Sequence, residues 1–321
     1  MAKGDGINPM LPGVKIISIF GFCDIRKFTN ATEILKEGVM LFVNEIGDIC
    51  HGIVDKYSGA ANKNVGDAFL LVWKFEKDDY YNDNNGVLQL KLNQRVCQIS
   101  DMSVMSFLLL ISGLKRSRKM IKYNTHEGLN KRMPNYQVKL GLGMHIGYSI
   151  EGAIGSFYKI DPTYLSSHVK MAETLEGATK VYGVPLLISE SLHRCLTRGG
   201  IKDYCRQVDW ALFSGKHEPL KIFTIDVQPE NVPLEDEQEY LASLYMSEKE
   251  KKIKRVHSRL NRNKIRENAF SGTVEVSKLF DVENDIQLMT RPFTQEFRDQ
   301  YKKAYTLYTR GDWKDAKFEF E

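Results

Sequence analysis

Two aspartates stand where a chain could hold a metal-bound polyphosphate. Asp24 closes the stretch IISIFGFCD, whose apolar residues Ile16, Ile17, Ile19 and Phe20 read as a buried strand. The chain then passes through Ile25, Arg26 and Lys27 into Phe28 and Thr29, where a helical pattern begins. A carboxylate at a strand end can ligate a hard cation, and the free N–H groups of a first helical turn face phosphate oxygens. The same aspartate would serve equally as an ordinary helix cap. Asp67 follows Gly66 at the tip of NKNVGDAFLLVW, residues 62–73, which reads as a tight hairpin between two apolar strands. An aspartate is also a good turn residue in its own right. If the hairpin lies beside the first strand, Asp24 and Asp67 can share one or two cations, the usual protein contribution to a Mg2+ site completed by substrate phosphates.

The elements that must position these residues follow from periodicity. Residues 36–57 carry Val39, Phe42, Val43, Ile46, Ile49, Ile53 and Val54 at helical spacing, so one amphipathic helix packs on the sheet. Residues 76–86 are acidic and Asn-rich and read as an exposed loop, and 87–117 as a long helix. Lys115, Arg116, Arg118, Lys119 and Lys122 at its end suit a helix C-terminus and read as a solvated face. The Gly-rich, alternating residues 138–155 read as a strand pair whose glycines permit close backbone approach, with His145 as a sheet histidine rather than a ligand. A helix over 164–182, a short buried strand over 185–188, a helix over 189–197 capped by Ser189 and final strands over 208–226 complete the pattern.

Composition sets the frame. The chain has 321 residues, enough for one large or two smaller domains, and 42% are apolar, enough for a real core. A net charge of +4 does not by itself imply nucleic acid, and no DNA partner is expected. Five cysteines (Cys23, Cys50, Cys97, Cys195, Cys205) lack metal-type spacing and read as reduced thiols of a cytosolic protein. The longest apolar run, residues 107–111, is too short to span a bilayer, and there is no signal peptide.

Four segments together resemble the catalytic domain of class III adenylate and guanylate cyclases: FCDIRKFT (22–29), KNVGDAF (63–69), VKLGLGMHIG (138–147) and GVPLLISESL (183–192). They occur in family order over residues 12–226, in the variant found in multidomain proteins of single-celled eukaryotes. The resemblance implies an α+β sandwich with the β-α-β-β-α-β order of ferredoxin-like folds, extending over 14–226 with an enlarged connection at 76–134. It implies cyclisation of a nucleoside triphosphate, the ribose 3′-hydroxyl attacking the α-phosphorus as pyrophosphate leaves. Two Mg2+ (or Mn2+) ions would be held by Asp24 and Asp67, with the Ile25 carbonyl as a further ligand. N–H groups around Phe28 and Thr29 would hold the β- and γ-phosphates, and Lys216, otherwise a turn lysine, matches a family lysine that reaches the polyphosphate. Lys63 stands where adenylate cyclases carry Lys and guanylate cyclases Glu. A Lys donor suits adenine N1 and favours ATP over GTP. Asp161 and Thr163 are both candidates for the second base-reading position.

One departure from the family stands out. Its next helix carries an Asn and, four residues on, an Arg that orient the ribose and stabilise charge on the α-phosphate. Here those positions are Lys170 and Thr174. Losing a transition-state arginine in phosphoryl transfer costs on the order of 10³ to 10⁵ in rate, about 4 to 7 kcal/mol. The family's sites form at a dimer interface, metal residues from one chain and Asn/Arg from the other. One expectation is therefore a metal-bearing half-site, weak or inactive alone and completed by a second cyclase domain. The alternative is a catalytically inactive pseudo-cyclase used as a structural or interaction module.

Beyond the resemblance, residues 1–13 read as a polar arm and 227–292 as a charged linker and extension. Within the latter, 249–266 is dense in Lys and Arg with Ile253, Val256, Leu260 and Ile265 between, a basic helix for an acidic protein surface, a microtubule or RNA, or simply a solvated one. From residue 293, Ala304, Tyr305, Tyr308, Gly311, Trp313, Ala316 and Phe320 resemble the helical hairpin of a tetratricopeptide repeat, which cannot bury its apolar face alone. The expectation is a chain continuing beyond Glu321, on the cytoplasmic side, within a larger membrane or cytoskeletal and ciliary protein.

Overall fold

The computed structural model describes residues 10–156, 158–215 and 217–320. Its first half builds one sheet from β1 (Val14–Ile25), β2 (Ala60–Val65), β3 (Ala68–Lys74) and β6 (Leu140–Gly155), with α1 (Phe28–Leu35) and α2 (Val39–Lys56) between the first two strands. Between β3 and β6 lie a small hairpin, β4 (Tyr80–Asn82) with β5 (Leu88–Leu90), then α3 (Gln94–Arg116), α4 (Ile121–Asn124) and α5 (Glu127–Arg132). These four strands run β2-β3-β1-β6, each antiparallel to its neighbour. That is the strand order of a βαββαβ unit, with α2 and α3 as its two crossovers. After β6 come β7 (Ile160–Leu165), α6 (Ser167–Tyr182), β8 (Leu186–Ser189), α7 (Glu190–Cys195), β9 (Cys205–Ala211) and β10 (Leu220–Ile225). They extend the sheet as β6-β8-β10-β9, β8 joining β6 in parallel, while β7 folds back on the far half of β6.

The hairpin turn is set by Gly66, whose φ of 65° places it where only glycine sits without strain, followed by Asp67. Behind the sheet, Ile19, Phe42, Trp73, Phe107 and Leu108 are fully enclosed and form one continuous core. α3 is the core's axis. By length and composition it could cross a bilayer, against the expectation from its longest unbroken apolar run, but 83% of its most apolar stretch is buried inside the fold. Its buried Ser100, Ser103, Ser106 and Ser112 donate to carbonyls three or four residues back, so burial leaves no hydroxyl stranded there.

Several sequence expectations need correction. Within 138–155, Leu140–Gly155 form a single long strand, because its outer half pairs with β7 instead of turning back on itself. The helix expected from residue 164 starts at Ser167, since Tyr164 and Leu165 are held in that pairing. The helix expected from residue 87 starts at Gln94, where Asn93 caps it, and Leu88–Leu90 are extended against β4. The acidic stretch 76–86 is not wholly exposed, because Asp79 is buried and ion-paired to Arg95 at 2.7 Å. The basic residues at and just after the end of α3 are only partly solvated: Arg116 pairs with Asp285, Lys119 with Asp48 and Lys122 with Glu45.

The largest correction concerns 227–292. It folds as α8 (Glu237–Leu244), α9 (Glu248–Phe270), α10 (Val276–Val282) and α11 (Asn284–Thr290). Ala269, Val276, Phe280, Ile286 and Met289 join the main core, so this segment is no mere linker. Only α9 keeps the expected character, every residue from 248 to 261 being exposed. The terminal hairpin, α12 (Gln295–Arg310) and α13 (Trp313–Phe320), turns at Gly311 with φ 86°. It docks on β9, Tyr301 stacking under Arg206 and the Tyr305 hydroxyl accepting from Gln207 Nε2 at 2.9 Å.

Candidate active site

Strand register brings the two aspartates together. Asp24 stands opposite Ala68 of β3 on one side and Gly141 of β6 on the other. Asp67 immediately precedes Ala68 at the hairpin tip, so the pairing of β1 with β3 delivers both carboxylates to one point. Burial, and then the charge of Asp24 beside it, push the Asp67 carboxyl above the usual carboxylate range. The Lys180 ammonium offsets part of that negative charge. Among the described residues, no three His, Cys, Asp or Glu side chains gather at one point. Two adjacent carboxylates are a donor set that fits a hard, oxygen-seeking ion whose other ligands come from elsewhere. Ile25 is buried at the end of β1, and its hydrocarbon side chain carries no donor atom, so any part it played at this point would be through its carbonyl.

The first turn of α1 follows three residues later. Lys27 precedes it in the left-handed conformation, and no side chain caps it. The N–H groups around Phe28 and Thr29 are thus free of side-chain acceptors.

α6 supports the site from behind. It lies directly on β6 because Gly143 has no side chain: a Cβ there would come within 2.3 Å of the Ala172 carbonyl and the Glu176 amide. This close approach puts Glu176 Oε1 2.8 Å from Arg26, whose other nitrogen donates to the Thr179 hydroxyl. Burial and the charge of Asp24 raise the Glu176 carboxyl, with Arg26 and Lys180 pulling the other way. Lys180, one turn on, places its ammonium 3.5 Å from Asp24 Oδ2. Neither Glu176 nor Lys180 stood out in the sequence. The i, i+4 spacing of Glu176 and Lys180 on a helix beside the glycine strand was the available signal.

On the outer face of the first half of α6 the geometry differs. Lys170 is 70% exposed and pairs with Glu173 on its own helix at 2.6 Å, while the Thr174 hydroxyl donates back to the Lys170 carbonyl at 2.8 Å. Neither is among the side chains that meet Asp24. Of the two base-reading candidates, Thr163 is the one brought to Lys63, its hydroxyl accepting from Nζ at 3.1 Å. Asp161 is exposed and pairs instead with Lys159. Lys216 lies outside the described residues. His145 is buried in the sheet, its Nε2 2.8 Å from His168 Nδ1.

A βαββαβ sheet that holds two carboxylates at the end of its first strand and the tip of the adjoining hairpin defines a nucleotidyl cyclase type of catalytic domain. Residues 13–225 match the adenylate and guanylate cyclase catalytic domain, and the chain belongs to that family. It is 25% identical over 178 residues to an adenylate cyclase of Anabaena cylindrica, covering 55% of this chain and 30% of that protein. It is 26% identical over 212 residues to the terminal-differentiation-specific adenylate cyclase of Dictyostelium discoideum, covering 66% of this chain and 9% of that one. The chain thus spans less than a third of the length of either relative. A bacterial light-regulated adenylyl cyclase has the same fold, with a TM-score of 0.52 at 21% identity over 74% of this chain and 59% of that one.

Proposed function

We propose that this domain is the metal-bearing half of a dimeric, adenylate-type cyclase site that converts ATP to cyclic AMP and pyrophosphate. A partner cyclase domain supplies the Asn and Arg. The observation that carries this reading is the acid pair: Asp24 and Asp67 are delivered to one point by backbone register, where burial and the charge of Asp24 raise the Asp67 carboxyl. A domain kept only for its shape has no chemical need of both.

Asp24 and Asp67, with the Ile25 carbonyl, would hold two Mg2+ (or Mn2+) ions. Bound there, such ions lower the pKa of the ribose 3′-hydroxyl and neutralise the polyphosphate. The chain's own part is positioning. First-turn N–H groups at Phe28 and Thr29 receive β- and γ-phosphate oxygens, and Lys216 reaches the same polyphosphate. The Arg26–Glu176 brace fixes the end of α6 against the strand that carries Asp24. Lys63, steadied by Thr163, donates to adenine N1 in whichever composite site that face lines, which favours ATP over GTP.

A second reading is supported by Lys170 and Thr174, which spend their polar groups on their own helix. On that reading the domain is an inactive pseudo-cyclase serving as an interaction module. The test is cyclic nucleotide production with Mg2+ or Mn2+ and ATP or GTP, by this chain alone and by its native complex. Cyclic AMP from the complex only, abolished by Asp24→Ala, is the expected result. No product from either sample, with metal-dependent nucleotide binding retained, would establish the pseudo-cyclase.

A further inference from the structure

Behind the acid pair, on the side away from the hairpin, lies a cavity of about 420 Å3 between the end of α3, the start of β6, the end of α6 and the segment after β10. Its floor is apolar, with Leu114, Val138 and Leu140 buried beneath it. Four cationic side chains, Arg26, Lys115, Lys139 and Lys180, line it against a single carboxylate, Glu230. Arg26 is engaged by Glu176 and Lys180 by Asp24, whereas Lys115 and Lys139 make no ion pair among the described residues. A pocket of this size, apolar below and positively charged above, matches an organic anion with an apolar body, and cavities of a few hundred Å3 are the usual size for such ligands.

One residue belongs to both places. Lys180 lines the cavity, and its ammonium also reaches Asp24. An anion seated among Lys115, Lys139 and Lys180 competes with Asp24 for that ammonium. Drawing Lys180 into the cavity removes a positive charge from beside the carboxylate and so favours a cation there.

We infer that this cavity is an effector site for a small carboxylate, sulfonate or phosphate with an apolar body, and that its occupation is transmitted to Asp24 by Lys180. Binding in the cavity needs nothing from the cyclase reading; the effect at Asp24 rests on it.

The probe is 8-anilinonaphthalene-1-sulfonate, titrated by fluorescence into the full chain beside its uncharged counterpart N-phenyl-1-naphthylamine. The sulfonate binds one to one and the uncharged compound about tenfold more weakly, and Lys115→Glu with Lys139→Glu lowers sulfonate affinity about tenfold or more. Val184→Trp, at the cavity wall, blocks the site with every charge intact, so a folding defect in the charge variant does not decide the matter. Equal binding of the two compounds, or sulfonate binding untouched by both variants, overturns the site.

The coupling is read by Mn2+ binding, from the electron paramagnetic resonance of the free ion. Sulfonate should raise Mn2+ affinity on the order of tenfold or more, the effect of removing one positive charge at roughly 4 Å from a divalent ion near water. Lys180→Met should give the same rise without it. Unchanged Mn2+ affinity at saturating sulfonate overturns the coupling and leaves the cavity standing. No Mn2+ binding in any condition overturns the coupling together with the metal-bearing reading of the acid pair, while the fluorescence titration still decides the cavity.

Discussion

The two halves of α6 were built under different constraints. At its C-terminal end Glu176, Thr179 and Lys180 are tied to Arg26 and Asp24, about 150 residues away in the chain and on a different element. At the outer face, Lys170 and Thr174 bond only to residues of their own helix. The acid end depends on backbone register: Asp24 is fixed by its strand neighbours on both sides, and α6 by the bare backbone of Gly143. Nothing in the fold depends on which side chains stand at 170 and 174. Side chains at 170 and 174 can therefore change at little cost to the architecture, and the acid pair is positioned by the backbone register without holding it, so the fold alone gives no reason to keep both carboxylates.

The largest effect expected from this contrast is at Asp24. Asp24→Ala should lower cyclic AMP formation by the native complex on the order of 10³-fold or more, measured as initial rate at saturating Mg2+ and ATP. Activity that survived the change would mean that catalysis in the complex takes place wholly at a site made without this chain's acid pair. The converse experiment rebuilds the outer face. Lys170→Asn combined with Thr174→Arg should raise turnover by the chain alone on the order of 10³-fold over the unaltered chain, provided it self-associates at the assay concentration. Self-association without any gain would show that the acid end is itself incompetent, and would dissolve the contrast between the two halves.

Much of the acid end was legible in the sequence because it is written locally. A strand ending at Asp24, a Gly66-Asp67 turn and a helix starting at Phe28 each announce themselves within a few residues, and antiparallel pairing does the rest. The glycine strand was legible as a place of close approach, but not what approaches it. That Gly143 admits α6, and so brings Lys180 to Asp24, is a long-range consequence of sheet order. The length of β6 was misread because a strand shared by two partners has no internal turn to mark where one pairing hands over to the other. The C-terminal extension was expected to be helical, but its packing into the core was missed for a different reason. Charge density suggested a linker, while the residues that anchor the segment, Phe280, Ile286 and Met289, are few and widely spaced and make sense only against α3. The choice between Asp161 and Thr163 was beyond the sequence altogether, since the two differ by one strand residue pair and only the β6–β7 register says which side chain meets Lys63.

Stability measurements separate the two halves without any assay of activity. Arg26→Met removes the cation that Glu176 faces. With Glu176 only 6% exposed and Arg26 18%, the carboxylate is left largely buried without its partner. Truncating one member of such a pair costs on the order of 3 kcal/mol, which chemical denaturation of the full chain would register as a lower midpoint with little change in slope. Replacing Glu176 by Gln in the same chain should recover part of that loss, because the stranded charge is then gone. A small effect from Arg26→Met would mean that the brace is decorative and that Gly143 alone seats the helix.

Lys170→Met should do almost nothing to the fold. The side chain is mostly in water, and its ion pair with Glu173 is an exposed contact three residues along the same helix. Such pairs contribute a few tenths of a kcal/mol, and surface substitutions of this kind stay within about 0.5 kcal/mol. The same denaturation experiment should therefore place this variant on top of the unaltered chain. A loss approaching that of Arg26→Met would show that Lys170 is held there for structure. The change from the family's Asn would then be a repair to the fold, and the outer face of α6 would no longer be the unconstrained end of the comparison.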